Sequence, residues 1–253
     1  MVVQETKADL VELAGKANPV VKFFDPLGLS TQSFWGQSES ATIGWLRASE
    51  IKHGRIAMFA FCGFIAGKAS SFASYPGVGG RGCFMSDRSY LIIYPCLPLR
   101  IAGSNGFTFP WAMELDGTPF PSAGGVPGAQ WDALSFSAKV QIISFIALME
   151  LWSEGVGTHY MKGGQPGKFP SFKDSDVALP HPVPFDLFDP FGFSKNASAE
   201  KKAAGLVKEI NNGRLAQIGL FGFLAESKVE GSVPALTGLI KHYDGDYMAP
   251  FSG

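Results

Sequence analysis

One short polar pattern occurs twice in this sequence, and each copy leads into an apolar run. The pattern is Glu-x-x-(His or Asn)-Gly-Arg, which covers residues 50–55 and, again, residues 209–214. Carboxylate and amide oxygens and imidazole nitrogen can each give a metal one ligand. In an α-helix, the glutamate and the His or Asn three residues later lie on one face, one turn apart. Each copy therefore predicts a helix that presents two single-atom donors to a metal.

The arginine of each copy is badly placed to neutralise its own glutamate. It follows the glutamate by five residues, which puts it about 140° around the helix. An unpaired charge in an apolar helix costs about 3 kcal/mol even on the lenient insertion scale. The spacing therefore predicts reciprocal ion pairs, Glu50 with Arg214 and Glu209 with Arg55. Such pairs would make the two helices a crossed, pseudo-twofold pair.

Reciprocal pairing would leave each glutamate with a spare oxygen in a neutral, apolar setting. Together with His53 and Asn212, these oxygens suit a metal that already has four ligands from a flat cofactor and needs one more. The magnesium of chlorophyll is such a metal, because it is hard and accepts oxygen or imidazole nitrogen. A structural polar network between two soluble helices is the alternative, and the repetition of the pattern disfavours it.

Three apolar segments predict helices at about residues 41–70, 135–154 and 199–228. The uninterrupted apolar part of the first, Ile56–Ala66, is too short to span a bilayer alone. It spans only if the Glu50–Arg55 turn also lies within the membrane, which reciprocal pairing would permit. Residues 233–242 predict a short amphipathic surface helix, and residues 71–134 a long loop. The sequence thus predicts an all-α membrane protein with three transmembrane helices in one domain, residues 1–253.

The two motif copies, followed by Ala57-Met58 and by Leu215-Ala216, strongly resemble the light-harvesting chlorophyll-binding superfamily of plastids. The resemblance extends over residues 23–242. It implies an antenna protein of the plastid thylakoid membrane, which holds chlorophylls and carotenoids at fixed distances and passes excitation energy to a photosystem. It implies no enzymatic activity, and the sequence shows no nucleophile–base constellation.

The resemblance also implies which side chains bind chlorophyll. Family members use Gln and Glu on the second helix, where the spacing of nine between Gln141 and Glu150 differs by one from the plant-type spacing, and Glu154 is an alternative. Glu226 stands where the family often has a further ligand, and His242 matches a late family histidine. Two arginines, Arg55 and Arg214, would compensate charge. The predicted magnesium ligands are Glu50, His53, Gln141, Glu150, Glu209, Asn212, Glu226 and His242.

A second motif, Phe-Asp-Pro-x-Gly, occurs at residues 24–28 and 188–192. Taken alone it is an ordinary turn, in which Pro pre-sets φ and Gly allows a positive φ. In the family this segment lies against the end of a carotenoid, so Asp25 and Asp189 are candidate carotenoid contacts. Gln217 replaces a usual Met, and it is interpreted either as an extra ligand or as a partner for a pigment carbonyl.

The first long loop, the Phe-Asp-Pro-x-Gly repeats and residues 231–236 resemble the chlorophyll a/c branch more than the chlorophyll a/b branch. Within it, the resemblance is closest to the dinoflagellate chlorophyll a/c–peridinin proteins. This implies chlorophyll a, chlorophyll c and carotenoids of the peridinin or fucoxanthin type and of the diadinoxanthin type. The implied partners are a photosystem core, with photosystem I favoured over photosystem II, neighbouring antenna subunits and thylakoid lipids.

Composition and cysteine usage narrow the alternatives. The chain is 46% hydrophobic and 17% charged with a net charge of −1, which gives no support for nucleic-acid binding. Cys83 and Cys96 share one loop and could form a disulfide if that loop faces an oxidising compartment.

A ferritin-like di-iron protein also uses Glu-x-x-His on paired helices, but it would need a second histidine where Asn212 stands. A photoprotective member of the same superfamily would share the ligands and differ in pigment occupancy.

Overall fold

The computed structural model describes residues 6–66, 126–170, 189, 192 and 196–251. The regular elements in this described part are all helical, without a strand. Single-turn 3-10 helices lie at Leu29–Thr31, Phe34–Gly36, Tyr160–Lys162 and Pro234–Leu236. The α-helices are α1 (Lys7–Ala17), α2 (Glu39–Ala66), α3 (Pro127–Asp132), α4 (Phe136–Gly155) and α5 (Ala199–Lys228).

Local sequence explains where the helices begin. Thr6 caps α1, because its hydroxyl accepts from the Asp9 N–H and the Asp9 carboxylate accepts from the Thr6 N–H at 2.8 Å. Serines cap the three longer helices, and each accepts from the N–H three residues further on at 3.2–3.3 Å. Such side chains satisfy N–H groups that have no partner within the helix. The three capping serines are Ser38 for α2, Ser135 for α4 and Ser198 for α5.

Contacts within the chain divide it into two compact units. The first combines Met1–Met58 with Met149–Gln217, and the second combines Phe59–Leu148 with Ile218–Gly253. Consequently α2, α4 and α5 each contribute residues to both units.

In the first unit, α2 and α5 cross where two glycines meet. Gly54 and Gly213 are buried, and a Cβ atom placed on Gly213 would lie 2.9 Å from the Gly54 Cα atom. A Cβ atom on Gly54 would lie 3.1 Å from the Gly213 Cα atom. The glycine of each repeated motif is therefore the residue that lets the two backbones approach. In the same unit, Asn211 Nδ2 donates to the Ala17 carbonyl oxygen at 2.9 Å and joins α5 to the end of α1.

In the second unit, aromatic side chains hold α2 and α5 together. The rings of Phe61 and Phe64 each stack on the ring of Phe223, with 5.0 Å between centroids. Tyr243 is buried, and its hydroxyl donates to Asp132 Oδ2 of α3 at 2.5 Å. A cavity of about 290 Å³ lies in this unit, and its lining includes Gly63, Phe64, Trp131, Leu220, Leu224 and Tyr243.

The predicted amphipathic helix over residues 233–242 is wrong. The structure has only the 3-10 turn Pro234–Leu236, and Thr237 leaves it with a ψ of 128°. Gly238 follows with a φ of 76°, which does not belong to a right-handed helix. Pro234 is the first residue of the turn, where proline is tolerated, so the helix fails to continue because the backbone leaves helical geometry at Thr237 and Gly238. The first long loop, predicted over residues 71–134, is likewise not wholly irregular, because α3 lies within its described end.

Among the described residues, one helical segment is long and apolar enough to cross a membrane by length and composition. It covers Phe136–Lys162, and an 18-residue stretch within it has a mean hydropathy of 1.2. Large apolar side chains of α4 face outward: Phe145, Ile146, Leu148 and Leu151 are 54–73% exposed. Helices α2 and α5 have 28 and 30 residues, hence lengths of about 42 and 45 Å. Both exceed the roughly 30 Å hydrocarbon core of a bilayer, but each carries the charges of its motif.

Candidate functional site

The four charged side chains of the repeated motif form two reciprocal ion pairs between α2 and α5. Arg55 Nε lies 2.6 Å from Glu209 Oε1. Arg214 lies 2.8 Å from Glu50 Oε1 through Nε and 2.7 Å through Nη2. These are the two pairs that the spacing predicts. With the Gly54–Gly213 contact at their centre, they give the crossing its pseudo-twofold arrangement.

The two glutamates nevertheless differ in their second oxygen. Glu50 Oε2 accepts a hydrogen bond from Arg47 Nη1, one turn earlier on α2, and the Arg47 side chain is only 9% exposed. In α5 the corresponding position is Leu206, and Glu209 Oε2 has no hydrogen-bond partner within the described part of the chain. Arg47 is not among the predicted site residues, although a cation three residues before a glutamate lies on the same helical face. Glu209 is therefore the carboxylate with the freer oxygen.

His53 keeps one ring nitrogen available. Its Nδ1 lies 2.8 Å from the Ser49 carbonyl oxygen and 3.2 Å from the Ser49 hydroxyl. A carbonyl can only accept, so Nδ1 carries the proton and Nε2 keeps its lone pair. The imidazole is exposed, as is Asn212 at the matching position of α5. Both motif donors thus lie on open helix surface.

The α4 candidates have polar neighbours. Gln141 is exposed, and its Nε2 donates to Ser137 Oγ at 3.2 Å, so its carbonyl oxygen is left for another partner. Glu150 Oε2 lies 2.5 Å from Lys52 Nζ of α2. Glu154 Oε1 lies 3.2 Å from the same nitrogen, and Glu154 Oε2 lies 2.7 Å from His159 Nε2. The sequence analysis did not assign a role to Lys52.

Glu226 has a structural role that the sequence analysis did not foresee. Its side chain is 2% exposed, and Oε1 accepts from the Gly231 N–H at 3.0 Å. Oε2 accepts from the Val233 N–H at 2.8 Å and from the Ser232 hydroxyl at 3.4 Å. The carboxylate therefore clamps the turn that follows α5, and this geometry does not favour its interpretation as a chlorophyll ligand. His242 lies on an irregular segment, half-exposed, with Nε2 2.8 Å from Asp244 Oδ1.

At the residues that can be compared, the Phe-Asp-Pro-x-Gly repeats share one backbone hydrogen bond and a glycine with positive φ, but Asp189, unlike Asp25, also has a positive φ of 50°. The Gly28 N–H donates to the Asp25 carbonyl oxygen at 3.3 Å, and the Gly192 N–H donates to that of Asp189 at 3.0 Å. Both glycines have positive φ, 63° and 73°. Hydrogen bonds from Ser30 and from the Leu29 N–H lower the pKa of the Asp25 carboxyl from its ordinary value. The predicted Cys83–Cys96 pairing lies outside the described residues.

These side chains are arranged as single donors on helix faces. The described residues contain no group of three or more His, Cys, Asp or Glu side chains that could hold a metal ion. A metal that brings its own in-plane ligands needs one protein atom only, and the neutralised glutamates, His53 and Asn212 supply such atoms. The arrangement defines a helical protein built to hold flat metal-containing cofactors.

Comparison with known proteins identifies the family. The family model described as chlorophyll A-B binding protein matches residues 10–228. The chain belongs to this family.

The chain is similar to fucoxanthin-chlorophyll a-c binding proteins and to a light-harvesting complex stress-related protein. The chain is 27% identical over 223 residues to a fucoxanthin-chlorophyll a-c binding protein of Trieres chinensis, covering 86% of this chain and 79% of the relative. It is 26% identical to fucoxanthin-chlorophyll a-c binding protein F of Phaeodactylum tricornutum, covering 84% and 77%. It is also 26% identical to light-harvesting complex stress-related protein 3.2 of Chlamydomonas reinhardtii, covering 86% and 63%.

Proposed function

We propose that this chain is a light-harvesting antenna protein, which holds chlorophylls and carotenoids and transfers their excitation energy to a photosystem. The observation that carries the proposal is the crossing of α2 and α5. There, two reciprocal ion pairs neutralise Glu50 and Glu209 while both helices keep further single donors exposed. Family membership supports the chlorophylls and the plastid location.

The chlorophyll ligands are assigned by the chemistry that each side chain retains. Glu209 and His53 are the strongest, because Glu209 Oε2 and His53 Nε2 each keep an available lone pair. Glu50 can also be a ligand, but its Oε2 must first give up the hydrogen bond from Arg47. Asn212, Gln141, Glu150 and His242 complete the proposed set, and Arg55 and Arg214 compensate charge.

The pigments are proposed to be chlorophyll a, chlorophyll c and carotenoids of the fucoxanthin or peridinin type with one of the diadinoxanthin type. The names of the diatom relatives, which state fucoxanthin and chlorophyll a-c, support this choice. The cavity of about 290 Å³ offers apolar walls and the Tyr243 side chain to part of a pigment. Asp25 and Asp189, in their Phe-Asp-Pro-x-Gly turns, are proposed to border a carotenoid end.

The proposed location is the thylakoid membrane, which α2, α4 and α5 each cross once. Internal pairing of the motif charges supports spans for α2 and α5, since it removes the cost of unpaired ions. Partners are neighbouring antenna subunits and a photosystem core, with photosystem I preferred as the initial assignment. A photoprotective role is the second candidate, and the similarity to the stress-related algal protein supports it.

The test is reconstitution of the purified chain with a total pigment extract in mild detergent. We expect chlorophyll a, chlorophyll c and carotenoid to copurify, and all three to excite chlorophyll a fluorescence. A long fluorescence lifetime supports an antenna, whereas strong quenching in the isolated protein supports the photoprotective role. A chain that binds no pigment under these conditions contradicts both.

Two variants test the ligand assignment. His53→Phe should reduce the chlorophyll bound per polypeptide, because phenylalanine offers no lone pair to magnesium. Ser49→Ala is the matched control, since the shorter contact of His53 Nδ1 is to the Ser49 carbonyl oxygen, which this substitution keeps. Equal pigment content in His53→Phe and the wild type would remove His53 from the ligand set.

A further inference from the structure

We infer that Lys52 of α2 is the counter-cation that makes Glu150 of α4 a chlorophyll ligand, an inference that rests on the proposed function. The repeated motif itself assigns Lys52 no role. Its side chain leaves α2 between the motif residues Glu50 and His53 and reaches a different helix. The cluster is confined to the first compact unit, so all its members belong to one body.

Lys52 lies between two carboxylates of α4. Its Nζ is 2.5 Å from Glu150 Oε2 and 3.2 Å from Glu154 Oε1. Glu150 and Glu154 are four residues apart, so they share one face of α4 and repel each other in the absence of a cation. Between residues 140 and 155, α4 contains no lysine or arginine of its own. The positive charge for this face is therefore supplied by another helix.

The remaining oxygens decide which carboxylate is the ligand. Both oxygens of Glu154 are engaged, Oε1 by Lys52 and Oε2 by His159 at 2.7 Å. Glu150 uses Oε2 for Lys52, and no described residue donates to its Oε1. Glu150 is also the more exposed, at 48% against 36%. Hence Glu150 presents a carboxylate that is paired with Lys52 and keeps a spare oxygen, and Glu154 with His159 positions Lys52.

The Lys52–Glu150 pair resembles the ion pairs at the helix crossing, because in both a cation from a neighbouring helix contacts one carboxylate oxygen. Arg55 engages one oxygen of Glu209 from the neighbouring helix and leaves the other; Lys52 does the same for Glu150. A cation beside a carboxylate lowers the cost of the carboxylate's charge in an apolar setting, where an isolated charge is costly.

The second repeat shows that this position is used to reach a neighbouring element. Asn211 occupies in α5 the place that Lys52 occupies in α2, because both are the second residue after the motif glutamate. Asn211 donates to the Ala17 carbonyl oxygen of α1. A neutral carbonyl needs only a neutral donor, whereas two carboxylates need a cation. The difference between Lys52 and Asn211 is therefore explained by their partners, which are carboxylates for Lys52 and a backbone carbonyl for Asn211.

The experiment compares pigment stoichiometry after reconstitution of four chains: wild type, Lys52→Gln, Glu150→Gln and the double variant. Lys52→Gln leaves Glu150 charged and unpaired, and we expect the loss of about one chlorophyll per polypeptide. Glu150→Gln keeps an oxygen donor that needs no counter-cation, and it is the reference with which the double variant is compared. The double variant should recover the chlorophyll that Lys52→Gln loses, since the amide ligand makes Lys52 dispensable.

The recovery separates this role from a merely structural tether between α2 and α4. If Lys52 only held the helices together, the double variant would lose as much pigment as Lys52→Gln, and the inference would be overturned. Unchanged stoichiometry in Lys52→Gln would overturn it as well. Lys208→Gln, an exposed lysine of α5, is the control for loss of one positive charge. Absence of pigment in the wild type would instead contradict the proposed function.

Discussion

Gly54 and Gly213 touch through their backbones at the crossing of α2 and α5, with no room for a Cβ atom on Gly213 and only a tight 3.1 Å contact for one on Gly54. The added atom on Gly213 would lie 2.9 Å from the Gly54 Cα atom, and the neighbour there is main chain and cannot rotate away. The glycine in each Glu-x-x-(His or Asn)-Gly-Arg motif is thus needed for the site, because it permits the close helix contact across which the ion pairs form. Without this approach, neither arginine would meet the glutamate of the other helix.

Gly213→Ala should therefore destabilise the protein. Overpacking costs about 1–3 kcal/mol, which exceeds the roughly 1 kcal/mol that alanine gains in a helix. Thermal denaturation followed by circular dichroism would show a lower midpoint. Gly205→Ala on the same helix is the matched control, because no atom lies within 4 Å of its added Cβ. The control should raise the midpoint, and a rise in both variants would argue against a close crossing.

Arg55→Gln should be more harmful than Arg214→Gln. Glu209 has Arg55 as its cation, whereas Glu50 retains Arg47 when Arg214 is removed. We expect Arg55→Gln to cost about 1–3 kcal/mol, below the range for fully buried pairs because these side chains are partly exposed. Adding Glu209→Gln to Arg55→Gln should restore part of the stability, since it removes the stranded charge. Equal midpoints for the two arginine variants would contradict the asymmetry.

Glu226→Ala should reduce stability without reducing chlorophyll content. The substitution leaves the N–H groups of Gly231 and Val233 without their acceptor, which costs about 1–3 kcal/mol. Denaturation midpoints and the chlorophyll-to-protein ratio measure the two effects separately. Glu230→Ala, an exposed residue just beyond α5, provides the comparison. A lower chlorophyll-to-protein ratio with an unchanged denaturation midpoint would instead support Glu226 as a chlorophyll ligand.

Asp25 should make stability depend on pH on the acid side. Its pKa in the folded state is lowered from 3.8 by hydrogen bonds from Ser30 and Leu29, so the folded state binds fewer protons than the unfolded state. The stabilisation is complete above the ordinary pKa and is lost as the pH falls through the lowered pKa. The midpoint difference between wild type and Asp25→Asn should therefore shrink below pH 3.8. A difference that stays constant down to strongly acidic pH would exclude this linkage.

The sequence predicts those features that depend on local geometry. The third predicted helix, residues 199–228, has the bounds of α5, and the reciprocal pairs follow from a five-residue spacing on a regular helix. The role of Lys52 could not be predicted, because it depends on which helix lies beside α2. The helix predicted over residues 233–242 does not form because the backbone leaves helical geometry at Thr237 and Gly238. The clamp by Glu226 was missed because its partners are backbone N–H groups, which carry no sequence signal.

The buried apolar residues of the described part have a consequence for how the protein is made. They are mostly alanine, and the larger members are Ile43, Phe64, Ile210 and Tyr243. So small a core supplies little of the free energy that must offset chain entropy, while aromatic and aliphatic side chains remain on the surface. Ligands that bind only the folded chain shift its folding equilibrium. Accumulation of this protein in a cell should thus follow the supply of newly synthesised pigment, and chains translated in excess of it should be degraded.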